Sequence, residues 1–324
     1  FFGNFKMILS NKTIVLFLIL IIVVSLGFKI YFLDLSTPVV SDRFDFTLRA
    51  IAYSDGEYAQ QPKQTPGWPL FVSFFFNFID SNNFLDYSNT IKLLSVGISL
   101  ITIPAVFLLS RKFFDARYSL IATCLFAFEP HLNRWSTFGF TEPIFILTMI
   151  GSFYFALSKD QRLIYFSFIL AGLMFWLRLN GFVMFFVLTV ILLIYYRKVP
   201  HIGRKYLICI FIFALIISPI FIQRNEQFGD PLYFYYGENL FVESYDDLET
   251  ENTQNMDTSI SGFIEEHGTL EFLNIFVLQG IYNIADVLSK TSFPYFIILI
   301  PFGLMFSLRA FEMEKKYIRS NWIL

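Results

Sequence analysis

The chain has 324 residues, of which 56% are hydrophobic, 20% aromatic and only 15% charged, with a mean hydropathy of +0.58. Soluble domains carry about 25% charged residues, so a water-soluble globular class is excluded and an integral membrane protein is implied. The formal charge of −2 offers no basic excess for nucleic acid, and Cys124 and Cys209 both fall in apolar runs, which excludes a disulfide framework.

A membrane helix needs about 20 mostly apolar residues to cross a hydrocarbon core roughly 30 Å thick. Residues 13–33 have too long an apolar run for a signal peptide and no small-residue cleavage site after it, so they read as an anchor. Residues 34–89 form a first long loop. Within it Phe44, Leu48, Ile51 and Ala52 fall on one stripe, the pattern of an amphipathic helix lying on the membrane. Pro66-Gly67-Trp68-Pro69 breaks the chain, and residues 70–79 are apolar but too short to span, which predicts a second juxtamembrane helix. Spans follow at 90–110, 118–135, 142–158, 163–179, 181–196 and 206–222. An acidic loop at 223–291 has 13 acids against Arg224 and Lys290 alone, and an eighth span is predicted at 293–308. The expected fold is all-α, a polytopic bundle of about eight transmembrane helices with juxtamembrane helices in the first outer loop. The chain opens at Phe1-Phe2 without an initiator Met and stops at Trp322-Ile323-Leu324. It is therefore expected to be a fragment lacking a C-terminal part.

Orientation follows from basic residues, which accumulate on the cytoplasmic side. Placing the N-terminus inside puts 15 of the 24 basic residues in the cytoplasm, but only Asp115, Asp160, Glu312 and Glu314 of the 26 acids. The loops at 34–89 and 223–291 then lie outside.

Charged groups at membrane depth cost about 2.5–3.5 kcal/mol on insertion scales, so those at the outer ends of the spans are candidates for function. Asp42, in Ser41-Asp42-Arg43-Phe44-Asp45-Phe46, lies where the chain enters the amphipathic helix; it suits either a functional carboxylate or a helix N-cap, with Asp45 in the first turn. Glu129, His131 and Arg134 cluster at the turn between the third and fourth spans, where Glu129 is open to a site role or an ion pair with Arg134. Glu142, in Thr141-Glu142-Pro143, fits the same cavity or a helix start. Arg178, Arg224 and Asn225 stand at outer span ends; the arginine fork suits bidentate phosphate binding, and snorkelling to the headgroups is the alternative. The scattered histidines show no metal-ligand spacing, so no metal site is assigned.

These residues also carry a resemblance. Asp42-x-x-x-Phe46-x-x-x-Ala50 followed by Thr65-Pro66-Gly67-Trp68-Pro69-Leu70 resembles the first outer loop of the GT-C membrane glycosyltransferases. The branch in question contains the dolichyl-phosphate-mannose protein mannosyltransferases and the aminoarabinose transferases. The likeness continues at Arg111–Asp115, Thr141-Glu142-Pro143, 172–178, and from Ser218-Pro219 through Arg224-Asn225 to Asp230-Pro231, covering roughly residues 13 to 232 in order. Two departures are Phe46, where the family usually has Tyr, and the smaller number of spans. The resemblance implies transfer of a sugar from a polyprenyl (dolichyl-type) phosphate donor to a protein or glycan acceptor outside the membrane. It further implies Asp42 as general base with Asp45 and Glu142 beside it. The substrate-binding set would be Arg178, Arg224, Asn225, Glu129, His131 and Arg134, of which Arg178, Arg224 or Arg134 would stabilise the leaving phosphate, with membrane lipids as further partners. It fixes no cofactor and leaves a divalent metal open. A transporter or flippase for lipid-linked sugars is the reading from another class, although no inverted repeat or broken span is evident. An oligosaccharyltransferase-like relative is a second enzyme reading, with Glu129 and His131 as its metal candidates.

Overall fold

The computed structural model describes residues 10–58, 65–197, 200–229, 231 and 260–290. These are helical, with no strand among the described residues. The predicted span at 293–308 and most of the acidic loop lie outside them. Two compact units divide the chain at Pro219, within one long helix.

The first unit opens with α1, Asn11–Phe32, whose side-chain oxygen cap comes from Ser10. At 1.5 Å per residue its 22 residues reach roughly 33 Å, enough to span. α2 (Asp42–Ser54) and α3 (Gly67–Phe76) follow as the two short helices expected of the first loop. Phe44 and Leu48 of the predicted apolar stripe are each 44% exposed, while Phe46, Ala50 and Tyr53 turn into the protein. The first half of the stripe is thus left facing outward, whereas Ile51 and Ala52 are part-buried and Ile51 packs on the core.

α4 (Phe84–Ser110) and α10 (Ile202–Phe228) are, with α1, the helices long and apolar enough to cross a membrane among the described residues. The predicted third span breaks. α5 (Ala116–Ala127) stops, and α6 (Pro130–Trp135) starts anew with Glu129 as its N-cap, because Pro130 has no N–H to continue the ladder. α7 (Glu142–Ala156), α8 (Leu163–Leu177) and α9 (Phe182–Tyr195) are shorter apolar helices, with a 3₁₀ turn at Leu179–Gly181 between the last two.

α4 is the centre of this unit and packs on α5 and α7; α8 packs on α7 and α9, and α1 on α5 and α6. The buried side of α4 carries a polar row, Ser88, Lys92, Ser95, Ser99 and Thr102 at helical spacing, alongside apolar residues. Small residues let helix backbones approach closely without a hydrophobic driving force between helices. Apolar packing gathers instead in two clusters. One joins Phe46, Ala50, Trp68, Val72, Phe76 and Ile91; the other joins Ile21, Ile103, Phe107 and Leu120.

In the second unit, residues of the predicted acidic loop are helical. α11 (Ile260–Leu273) is kinked at Gly268, where φ is +83°, and a π-helical turn at Asn274–Gln279 leads to α12 (Gly280–Lys290). Phe263, Phe272 and Phe276 hold that kink together.

Candidate active site

The chain leaving α1 is stitched to α4 before it reaches Asp42. Lys92 Nζ donates to the carbonyls of Asp34 and Thr37 at 2.6 Å each, Ser88 Oγ accepts the Val39 N–H at 2.7 Å, and Asn89 Nδ2 donates to Leu35 O at 3.0 Å. The Asp34 carboxylate accepts from the hydroxyls of Ser36 and Thr37 and from the Ser36 N–H. Those donors hold it well below the usual carboxylate range, with a smaller contribution from Lys92.

This tether delivers Ser41 in a conformation that residues with a Cβ rarely adopt, φ 59° and ψ −143°. Such backbone costs about 1–3 kcal/mol and concentrates at functional sites. Asp42 follows at the first position of α2. It is not the N-cap; Ser41 holds that place without a side-chain bond. The Asp42 carboxylate is exposed and accepts no hydrogen bond among the described residues, its neighbouring charge being the Arg43 guanidinium. Asp45, by contrast, pairs with the buried Arg49 at 3.2 Å within α2. Phe46 is buried in the core cluster beside Trp68.

A turn at residues 136–141 clasps α2 and α3 together. Arg43 lies over the rings of Phe138 and Phe140, 5.1 and 4.9 Å from their centroids, and donates Nε–H to Val40 O at 3.0 Å. Between those rings Gly139 sits at φ +83°, and its carbonyl accepts the indole N–H of fully buried Trp68 at 3.0 Å. Thr65 Oγ1 donates to Leu177 O at 2.7 Å, which fastens the α3 turn to the end of α8. Gly67 is required there: a Cβ on it would stand 2.5 Å from the Trp176 carbonyl oxygen.

Arg178 is the extended C-cap of α8, and its Nη1 meets Glu142 Oε1 at 2.6 Å. Glu142 is the first residue of α7, with Pro143 next, the helix start that the sequence offered. The pair is a third or more exposed on each side, so it contributes about 1 kcal/mol at most. One of its five donors thus engaged, Arg178 keeps others for a ligand.

Contacts within the first unit therefore gather Arg43, Trp68, Glu142 and Arg178 about the 136–141 turn, with Asp42 next to Arg43 in the chain. Glu129 caps α6, accepting the Leu132 N–H at 2.5 Å. His131 and Arg134 are exposed on that short helix, and the Arg134 guanidinium lies 5.8 Å from the Phe138 centroid, the ring that Arg43 also covers. Arg224 and Asn225 belong to the second unit, near the end of α10. Among the described residues no three His, Cys, Asp or Glu side chains converge to hold a metal. Sequence reasoning passed over Arg43, Lys92 and Lys29. The signal was present for the two lysines, since a charge inside a predicted span is expensive unless it has a task.

Residues 63–222, just under half of the chain, match the family model described as dolichyl-phosphate-mannose-protein mannosyltransferase. The matched stretch holds the Thr65–Pro69 turn, Glu142 and Arg178; Asp42 and Asp45 precede it, and Arg224 follows it. No curated protein and no solved structure matches significantly. The resemblance read from the motifs is thus borne out, and with the apolar helices it supports an integral membrane glycosyltransferase of the GT-C type.

Proposed function

We propose that this protein transfers a sugar from a polyprenyl-phosphate carrier, of the dolichyl type, to a protein or glycan acceptor on the outer side of the membrane, with Asp42 as general base. In this reaction the acceptor hydroxyl oxygen bonds to the anomeric carbon while the bond from that carbon to the phosphate oxygen breaks. The hydroxyl proton passes to Asp42, and the bonding pair leaves with the lipid phosphate. Positive charge builds on the ring as the old bond fails, so a carboxylate nearby also stabilises the transition state. The departing phosphate gains negative charge, which suits Arg178, with Arg134 as a further candidate.

The observation that supports the reading is that Arg43, next to Asp42, lies over Phe140, two residues before Glu142, which itself pairs with Arg178. Asp42 is suited to the base role because its carboxylate is exposed and unengaged by hydrogen bonds among the described residues, whereas Asp45 serves Arg49 and Glu142 serves Arg178. Asp42→Asn should abolish transfer of radiolabelled sugar from lipid carrier to acceptor in proteoliposomes while leaving expression and carrier binding intact. Near wild-type turnover would reject Asp42 as the base.

A further inference from the structure

Lys29 presents an unusual situation. It lies on α1 with Ile21 and Ser25 on the buried stripe, and it is 2% exposed. Its ammonium donates to Asn133 Oδ1 at 2.9 Å and to Ser136 Oγ at 3.1 Å. Both acceptors are neutral, although a buried cation is costly without a compensating anion. Asn133 is otherwise fully engaged: its amide donates to the carbonyls of Ala127 and Glu129 at 2.8 Å each, and Oδ1 also accepts from Ser25 Oγ at 3.2 Å. Ser136 Oγ donates to Asn133 O at 2.8 Å and accepts from Lys29, which leaves it one lone pair.

Ser136 also lines a cavity of about 20 Å³ among α4, α5, α6 and α7. Its polar lining is Ser99, Thr102, Ser136 and Glu142. Thr102 already donates to Ile98 O at 2.8 Å, so toward the cavity its hydroxyl can only accept. Glu142 turns Oε1 to Arg178, whereas its Oε2 is sealed from solvent and has no hydrogen-bond partner among the described residues. A buried carboxylate oxygen without a donor is among the most expensive polar groups to leave unsatisfied. A cavity that size holds about one water, which needs two to four polar partners. Those partners are present.

We infer that this cavity is a binding site for a single water molecule, which donates to Glu142 Oε2 and joins it, through Ser136, to the buried Lys29 ammonium. The water's second proton goes to the remaining lone pair of Ser136 Oγ, and the water accepts from Ser99. A continuous path then runs from the cation in α1 to the carboxylate at the head of α7. Lys29 obtains a negative partner at the far end of that path, and Glu142 is held from both oxygens.

Two measurements test this without reference to the transferase reaction, so failure of the proposed function leaves the result untouched. The first is an experimental structure of the full chain in lipid nanodiscs, at a resolution that shows ordered solvent. One density should lie within hydrogen-bond distance of both Glu142 Oε2 and Ser136 Oγ; a dry cavity, or a density out of reach of Ser136, overturns the inference. The second is a double-mutant cycle on unfolding in mixed micelles with Ser136→Ala, Glu142→Gln and the pair. Linked through one water, the two losses should be non-additive by about threefold or more in the unfolding constant. Strict additivity overturns the link. If Ser136→Ala fails to fold, Ser99→Ala with Glu142→Gln reads coupling through the same water from its donor side.

Discussion

Gly67→Ala is a one-methyl change at the start of α3 that should be out of proportion to its size. The new Cβ would lie 2.5 Å from the Trp176 carbonyl oxygen and 2.6 Å from its carbon. Both belong to backbone, which cannot rotate aside as a side chain would. Overpacking of this kind costs about 1–3 kcal/mol. The forced separation also stretches the 2.7 Å bond from Thr65 Oγ1 to Leu177 O, whose loss adds about 0.5–1.5 kcal/mol. A total of about 1.5–4.5 kcal/mol is expected, together with reduced transfer activity, because Arg178 follows Leu177 directly. Gly97→Ala, inside α4, supplies the contrast. Nothing stands within 4 Å of a Cβ there, so the helix should gain about 0.5–1 kcal/mol. Both variants can be compared with the parent by equilibrium unfolding in mixed micelles, followed by turnover in proteoliposomes. If Gly67→Ala unfolds within about 0.5 kcal/mol of the parent, the threshold for ordinary surface substitutions, the close approach of α3 to α8 is refuted.

Further outcomes follow from the site and its tethers. Asp34 titrates below the usual carboxylate range when folded, so it contributes stability above its unfolded value near about pH 4 and loses it as pH falls further. Asp34→Asn should therefore remove part of the acid sensitivity seen in thermal unfolding between about pH 5 and 3; an identical pH profile would show that the Ser36–Thr37 donors are not formed. Arg178→Ala should weaken binding of a short-chain polyprenyl phosphate in detergent, with Arg178→Lys restoring it only in part because the planar fork is lost; unchanged affinity in both would return Arg178 to a helix-end anchor. Trp68→Phe leaves the buried Gly139 carbonyl without its donor and should cost about 1–3 kcal/mol in the same micelle assay, and a neutral result would mean that another donor reaches that carbonyl. Cysteines at Asp55 and Asn83 should react with impermeant maleimide on intact cells, while those at Lys159 and Gly203 should react only after permeabilisation; the reverse pattern would place Asp42 in the cytoplasm.

The sequence by itself determined the membrane class, the all-α fold and the approximate place of every described apolar helix from α1 to α10, because about 20 apolar residues in a row have no other stable home. It also determined where α7 begins, since Glu142 and Pro143 carry that signal locally, and the ordered motifs pointed to the family that residues 63–222 match. What it could not decide was pairing. Glu129 was open to Arg134 and became the cap of α6; Asp42 was open to a cap and stands one residue inside the helix. Arg178 and Glu142 are 36 residues apart, and no spacing rule links them. They meet because α7 and α8 pack directly on each other, which sets the first residue of α7 beside the C-cap of α8. Lys29 and Lys92 read as interruptions of apolar spans. Only the packing of α1 on α6, and of the 34–39 segment on α4, supplies the oxygens that each ammonium requires, since a buried donor is satisfied by whatever the fold brings within about 3 Å and not by its neighbours in sequence.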